Sequence, residues 1–165
     1  KSNLVALYLD LSRKELEYGF LLSELERIIL EGLDDQMDSF PQRLIHGDLN
    51  HSNLIWQGDH FKIVDLETIR ITSRLNEFGS PLLFKENMEK PVYVKNSLGT
   101  LVHTYNQSGE IPLSKDEIRC LNYLLRYTLL KNFVVRKIRR GLKDENYLNE
   151  VVKNLKIIEG DSHGN

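Results

Sequence analysis

The sequence predicts a mainly helical fold, of the α+β class, with one small β-hairpin near the middle of the chain. Apolar residues recur at helical spacing in the first third of the chain and again in its last part. Between these parts, short apolar runs flank the turn-forming sequence Gln57-Gly58-Asp59-His60. This arrangement predicts a β-hairpin over residues 53–65, with helices before and after it.

Length and composition predict a single domain and exclude several functions. The chain has 165 residues, of which 41% are hydrophobic, enough for one core. A net charge of −2 predicts no nucleic-acid partner, and no apolar run is long enough for a membrane span. Cys120 is the single cysteine, so we expect no intrachain disulfide and a reducing, cytoplasmic location. We place the domain at residues 1–158 and a disordered tail at 159–165.

Residues that favour helix ends bound the predicted helices. Ser114 and Glu117 form the capping-box pattern S-x-x-E at the start of a long apolar helix. The predicted segments are a helix that ends near Gly32, a surface loop over 33–42, irregular chain over 67–74, and helices over 92–106, from Ser114 to Gly141 and over 144–158.

The segment from His46 to Asp65 carries the candidate catalytic and metal-binding residues. Asp48 and Asn53 are five residues apart on an irregular stretch, and Asp65 follows the second strand of the hairpin. Because a hairpin returns the chain to near its start, we expect Asp65 to lie beside Asn53. Two carboxylates and an amide would then share one region, and magnesium prefers such oxygen ligands, completed by phosphate and water.

This spacing is typical of phosphoryl transfer to an alcohol. The reaction needs a metal ion that neutralises the phosphates and a carboxylate that orients the attacking hydroxyl. In protein kinases the base Asp and a metal-binding Asn are five residues apart in one loop, and a second Asp follows a later strand. Asp48, Asn53 and Asp65 have the same spacing, so the sequence predicts a phosphotransferase.

The sequence HGDLNHSNLIW, followed by KIVDLE, resembles the signature of the aminoglycoside phosphotransferase and choline kinase-like superfamily. The resemblance implies a protein kinase-like domain, of which this chain is the C-terminal helical lobe, with the hairpin carrying the catalytic loop. It also implies that Asp48 is the catalytic base and that Asn53 and Asp65 bind Mg²⁺. ATP is the implied co-substrate, and the implied acceptor is the hydroxyl of a small molecule.

The same resemblance assigns roles to three more residues. His46 would be a structural residue that packs behind the loop and fixes its backbone. Glu77 stands where the family usually has an Asp that hydrogen-bonds the catalytic loop, and it is one methylene longer. Glu67 matches a frequently acidic position, and it is either a contact to the metal site or substrate or a solvated residue.

A nucleotide-binding half is not recognisable in the sequence. No G-x-G-x-x-G motif and no strand lysine of the kinase type precede His46. We therefore expect a fragment that lacks its N-terminal lobe, pairs with that lobe in the intact protein and is inactive alone. Two alternatives stay open: a catalytically silent kinase-like scaffold, and a metal-dependent phosphohydrolase that uses the same carboxylates.

Two other side chains have plain structural explanations. Trp56 lies in a short strand, which favours core packing over stacking on adenine. Cys120 lies beside the apolar face of the long helix and is expected to be a packing residue.

Overall fold

The structure, a computed structural model, describes residues 6–9, 12, 15–83, 93–108, 111–139, 141 and 146–162. Within these ranges the chain is mainly helical, with small antiparallel sheets. The helices are α1 (Glu15–Leu30), α2 (Leu33–Ser39), α3 (Gly79–Leu83), α4 (Ser97–Gln107), α5 (Lys115–Phe133) and α6 (Tyr147–Ser162). The strands are β1 (Gln42–Ile45), β2 (Leu54–Gln57), β3 (His60–Ile63) and β4 (Arg70–Ser73). Short 3₁₀ turns occupy His51–Asn53, Leu66–Thr68 and Arg74–Glu77, and a π-helical segment, Val134–Arg139, follows α5.

The hydrophobic core lies where α1, α5 and α6 pack together. Each helix contributes side chains with no solvent exposure, among them Leu25, Leu125 and Val151. Tyr18 and Phe133 meet edge to face with their ring centroids 5.2 Å apart. Each buried Leu or Phe contributes about 1.5–3 kcal/mol relative to an exposed one, so this helical layer is the stable base of the molecule.

The start of α5 confirms the predicted capping box. The Ser114 hydroxyl accepts a hydrogen bond from the Glu117 backbone N–H at 3.1 Å, and the Glu117 carboxylate accepts one from the Ser114 N–H at 2.9 Å. At the other end, the α-helix changes to a π-helix at Val134 rather than continuing unchanged. Gly141 then has φ +66°, the left-handed conformation expected of a glycine beyond a helix end.

The surface loop predicted over 33–42 is wrong, because residues Leu33–Ser39 form α2. Met37 is 8% exposed, and its sulfur lies 3.5 Å from the Cys120 sulfur. Burial against the core therefore stabilises a helix whose local sequence is rich in Asp. Cys120 itself is fully buried, as expected, and burial raises the pKa of its thiol to about 11.

The helices near the chain's end are displaced from their predicted positions. The helix expected over 92–106 is α4, which begins at Ser97 after Asn96 with φ +65°; residue 92 lies outside the described residues. The helix expected over 144–158 is α6, which begins at Tyr147 and runs to Ser162. Residues 159–162 of the predicted tail are thus helical, while 142–145 and 163–165 lie outside the described part. An ion pair of 2.9 Å between Arg27 and Glu159 ties the last turn to α1.

The β-structure is richer than predicted. The hairpin over 53–65 is confirmed: β2 pairs with β3 in antiparallel register, with Trp56 opposite Phe61. The irregular chain expected over 67–74 instead contains β4, which pairs with β1 and places Leu44 opposite Ile71. β1 and β4 are only four residues long, and the HGD loop and the hairpin lie between them in the chain. No short turn joins the two strands, so the sequence gives no local indication that they pair.

The core packing expected for Trp56 is also wrong. Its side chain is 63% exposed and packs edge to face on Phe61 at a centroid distance of 5.5 Å. Phe61 is its cross-strand partner on the same face of the hairpin, and most of the indole is left in solvent. Among the described residues, no helix combines the length and apolar composition needed to cross a membrane.

Candidate active site

The predicted site centres on residues 46–53, here called the HGD loop, which connects β1 to β2. The loop begins after Ile45, the buried end of β1, and finishes with the 3₁₀ turn His51–Asn53. Asn50 caps that turn by accepting a hydrogen bond from the Ser52 N–H at 2.9 Å. Strand pairing on both sides therefore holds the two ends of the loop.

Gly47 is required by the backbone of this loop. Its φ is +84°, and a Cβ atom built on it would lie 2.7 Å from the Thr68 carbonyl oxygen and against the Arg70 guanidinium. Any side chain would thus add both backbone strain and a steric clash. The close approach explains the glycine between His46 and Asp48.

His46 connects the loop to the chain that follows β3. Its ring is 9% exposed, and Nε2 lies 2.8 Å from the Val64 carbonyl oxygen. Because a carbonyl oxygen only accepts, Nε2 carries the hydrogen and donates it. The Thr68 hydroxyl donates in turn to the His46 carbonyl oxygen at 2.7 Å. Both contacts are structural and involve no reacting group of the loop.

Glu77 lies behind the same loop. Its carboxylate accepts hydrogen bonds from the backbone N–H of His46 at 2.7 Å and from that of Gly47 at 3.3 and 3.4 Å. Charge-assisted bonds of this kind are stronger than neutral ones. The longer side chain of Glu therefore reaches the loop backbone from the 3₁₀ turn Arg74–Glu77.

Asp48 and Asn53 are brought together by a side-chain-to-backbone hydrogen bond. The Asn53 amide nitrogen donates to the Asp48 carbonyl oxygen at 2.9 Å and lies 3.5 Å from the Asp48 carboxylate. The Asn50 amide donates to the same carbonyl oxygen at 3.3 Å. Because the Asn53 amide nitrogen makes both contacts to Asp48, the amide oxygen of Asn53 takes no part in them. An amide oxygen is a suitable ligand for a hard cation.

Asp65 directly follows Val64, whose backbone is hydrogen-bonded to the HGD loop. The Val64 N–H donates to the Asn53 carbonyl oxygen at 3.0 Å, while the Val64 carbonyl oxygen accepts from His46. Asp65 has φ 63° and ψ 65°, an uncommon left-handed conformation for a residue with a side chain, and its carboxylate makes no capping bond to the turn it precedes. The backbone of Asp65 is thus held next to the Asn53 end of the loop.

Glu67 is exposed in the turn Leu66–Thr68, and nothing in its placement separates its two interpretations. Within the described residues, no group of three or more His, Cys, Asp or Glu side chains could hold a metal ion. A cation at this site would therefore depend on the Asn53 amide, one or two carboxylates and non-protein oxygens. Magnesium bound to nucleotide phosphates has this kind of ligand set.

A buried ion pair supports the turn that carries Glu77. The Arg74 guanidinium donates to the Glu117 carboxylate at 2.8 and 2.9 Å, and also to the backbone carbonyl oxygen of Pro112 at 3.0 Å. Burial alone would raise the pKa of Glu117, but the hydrogen bonds from Arg74 and Ser114 outweigh it and hold the pKa below its ordinary value. The pair joins the site to the N-terminus of α5.

Sequence reasoning missed Asn50, Thr68 and Arg74, although each holds the site together. The pattern Asn-x-Ser at residues 50–52 is a recognisable side-chain cap and was a usable signal. Thr68 and Arg74 act on partners distant in the sequence, and no local pattern indicates them.

One comparison with known proteins found a match. The model of a family described as a phosphotransferase enzyme family matches residues 3–94, more than half of the chain. The matched range includes the whole HGD loop, the hairpin and Glu77. Neither a curated protein nor a solved structure was found to match.

Proposed function

The chain belongs to the phosphotransferase enzyme family, and from that premise we propose that it supplies the catalytic part of a small-molecule kinase. The proposed reaction transfers the γ-phosphoryl group of ATP, with Mg²⁺, to a hydroxyl of a small molecule. The observation that carries the proposal is the HGD loop, in which Asp48 and Asn53 are hydrogen-bonded together on a backbone held from behind by Glu77.

Asp48 is the proposed catalytic base. Its carboxylate is half-buried in a loop whose carbonyl oxygen is fixed by two amide side chains. The carboxylate accepts the proton of the acceptor hydroxyl and orients its oxygen for attack on the phosphorus atom. The bonds from Asn50 and Asn53 fix the backbone of Asp48. A fixed backbone limits the positions that the carboxylate can take, which lowers the entropic cost of that step.

Asn53 and Asp65 are the proposed Mg²⁺ ligands. The Asn53 amide oxygen and the Asp65 carboxylate fit a hard cation, and the left-handed backbone of Asp65 is the kind of local strain that often accompanies functional sites. A bound magnesium ion would neutralise the charge of the nucleotide phosphates. Thr68 and Glu77 bond the backbone of the loop, and the His46 ring ties the loop to Val64. None of the three contacts a reacting group, so their proposed role is to position the loop.

We propose that an N-terminal nucleotide-binding lobe covers the two sheets in the intact protein. Several large apolar side chains of these strands are exposed: Leu44, Ile55, Trp56, Phe61, Ile63 and Ile71. By strand register, Trp56, Phe61 and Ile63 share one face of the hairpin, and Leu44 and Ile71 are directly opposite each other in the other sheet. Exposed apolar side chains grouped in this way are typical of an interface. The strands flank the HGD loop on both sides, where a lobe that holds ATP has to sit.

Replacement of Asp48 tests the base. In the intact protein, Asp48→Ala should lower turnover about 10²–10⁴-fold, the usual contribution of a general base, without a loss of stability. Asp59→Ala, which removes an exposed carboxylate from the hairpin turn, is the matched control and should leave turnover unchanged. Equal turnover of Asp48→Ala and the unsubstituted protein would remove Asp48 from the mechanism.

Replacement of Asp65 tests the metal ligands. Calorimetry of ATP binding to the intact protein should show a magnesium-dependent gain in affinity that Asp65→Ala abolishes. The proposal that nucleotide binding depends on a separate lobe predicts that the 165-residue chain alone does not turn over ATP substantially. Substantial turnover by that chain would contradict the lobe proposal and leave the site assignment standing.

A silent scaffold, the main alternative, loses one of its arguments. Such a scaffold would be favoured if Glu77, which replaces the usual Asp, left the loop unsupported. The Glu77 carboxylate instead bonds two loop N–H groups. A phosphohydrolase would release phosphate from ATP without an acceptor alcohol. A turnover assay of the intact protein without an acceptor therefore distinguishes it from a kinase.

A further inference from the structure

A large cavity lies beside the HGD loop. Its volume is about 920 Å³, near the upper end of the range for small-molecule sites. Leu49 and Phe61 line one side of it, Leu101 and Thr104 of α4 line another, and Lys95 and Ser97 lie at the start of that helix. Leu49 directly follows Asp48 in the HGD loop, so the cavity extends to the residue next to the proposed catalytic base, which does not itself line it.

The lining is mainly apolar, and its few polar groups are unevenly distributed. Among the described residues that line the cavity, Lys95 is the only charged one, and none carries a carboxylate. The Ser97 hydroxyl oxygen is buried and has no hydrogen-bond partner in the described part of the chain. A buried polar atom without a partner is costly, so a ligand would gain affinity by bonding the Ser97 hydroxyl after that side chain turns toward the cavity.

We infer that the cavity binds the acceptor, and that the acceptor is an alcohol with an apolar skeleton and a neutral or anionic group toward Lys95, rather than a polycation. That the ligand is the phosphoryl acceptor rests on the proposed function. The chemical class of the ligand follows from the cavity lining and does not depend on that function. A cationic ligand would lose hydration in an apolar cavity with no carboxylate among its described lining, whereas a carboxylate would gain the Lys95 charge.

Three probes with one carbon skeleton test the ligand class on the 165-residue chain. They are 8-hydroxyoctanoate, 1,8-octanediol and 8-amino-1-octanol, each titrated by NMR without nucleotide or magnesium. The hydroxy acid should bind about twofold to fivefold more tightly than the diol, the usual gain from an exposed ion pair, and the amino alcohol more weakly than the diol.

Substitutions locate the binding. Lys95→Gln should remove the preference for the hydroxy acid over the diol, while Lys153→Gln, on the exposed face of α6, should preserve it. Thr104→Trp should occupy the part of the cavity beside α4 and weaken the binding of all three probes, with circular dichroism confirming the fold. Unchanged binding in Thr104→Trp would overturn the inference, as would equal or tighter binding of the amino alcohol, or no binding of any probe.

The two proposals fail separately. If the probes bind as expected but the intact protein with ATP and Mg²⁺ forms no phosphorylated probe, the kinase proposal fails for these alcohols and the cavity assignment stands. If the intact protein phosphorylates only amino alcohols, the kinase proposal stands and the ligand class inferred for the cavity is wrong.

Discussion

The helical base, formed by α1, α5 and α6, and the segment from β1 to the turn Arg74–Glu77 are held together in different ways. The base buries side chains such as Leu125 completely, and its stability comes from apolar packing. The segment around the HGD loop exposes most of its side chains and depends on hydrogen bonds between side chains and backbone. Stability and function are therefore expected to respond to different substitutions.

Charged residues occur in both regions, with different purposes. In the base, Glu24 pairs with Arg126 in a short contact between α1 and α5, and their side chains are 11% and 4% exposed. Near the site, Arg74 and Glu117 join the turn that carries Glu77 to α5. The Glu24–Arg126 pair lies within the helical base, and the Arg74–Glu117 pair connects the helical base to the candidate active site.

The largest expected effect comes from Glu24. Glu24→Ala removes the carboxylate that pairs with the buried Arg126 and should lower the free energy of unfolding by about 3–5 kcal/mol. Chemical denaturation checks this. Glu26→Ala removes only an exposed carboxylate that accepts one hydrogen bond from the Tyr8 hydroxyl at 3.2 Å. It is the control and should change stability by no more than about 1 kcal/mol. Similar losses in both variants would contradict the assignment.

Glu77 should have a smaller and more local effect. Glu77→Ala leaves two loop N–H groups without their acceptor and should cost about 1–3 kcal/mol. Hydrogen exchange should show faster exchange at the His46 and Gly47 amides, with protection in α5 retained. Glu67→Ala is the matched control. Unchanged exchange at both amides would show that Glu77 does not hold the loop.

The smallest expected effect is a dependence on pH through Glu117. Because its pKa is lower in the folded chain than its ordinary value of 4.5, the unfolded chain binds the proton more tightly. The contribution of this carboxylate is therefore complete above about pH 4.5 and is lost as pH falls through the folded pKa. Denaturation from pH 3 to pH 7 should give a shallower acid decline in Glu117→Gln. An equally steep decline would assign the effect to other carboxylates.

Local patterns allowed much of the base and the outline of the site to be predicted. The capping box of Ser114 and Glu117 and the hairpin turn at Gly58 are short-range features, and both are confirmed. Asp48 and Asn53 were identified by spacing within one loop, and the structure brings them into contact. Their catalytic and metal-binding roles stay predictions.

Segments stabilised by distant partners could not be predicted in this way. The α2 helix is stabilised where Met37 meets Cys120, and β4 forms because β1 is available across the site. Trp56 was assigned to the core because a short apolar strand carries no information about which of its faces is covered. In each case the deciding contact lies far along the chain.

The sequence alone determined the helical class of this protein, its hairpin and the phosphotransferase spacing of Asp48, Asn53 and Asp65, because each depends on residues close together in the chain. Only the tertiary structure decided that Glu77 reaches the loop backbone, that His46 bonds the Val64 carbonyl oxygen and that Leu49 of the loop lines a cavity shared with α4. Those features are contacts between separate elements. Their formation depends on how the helical base places the elements, which no local pattern encodes.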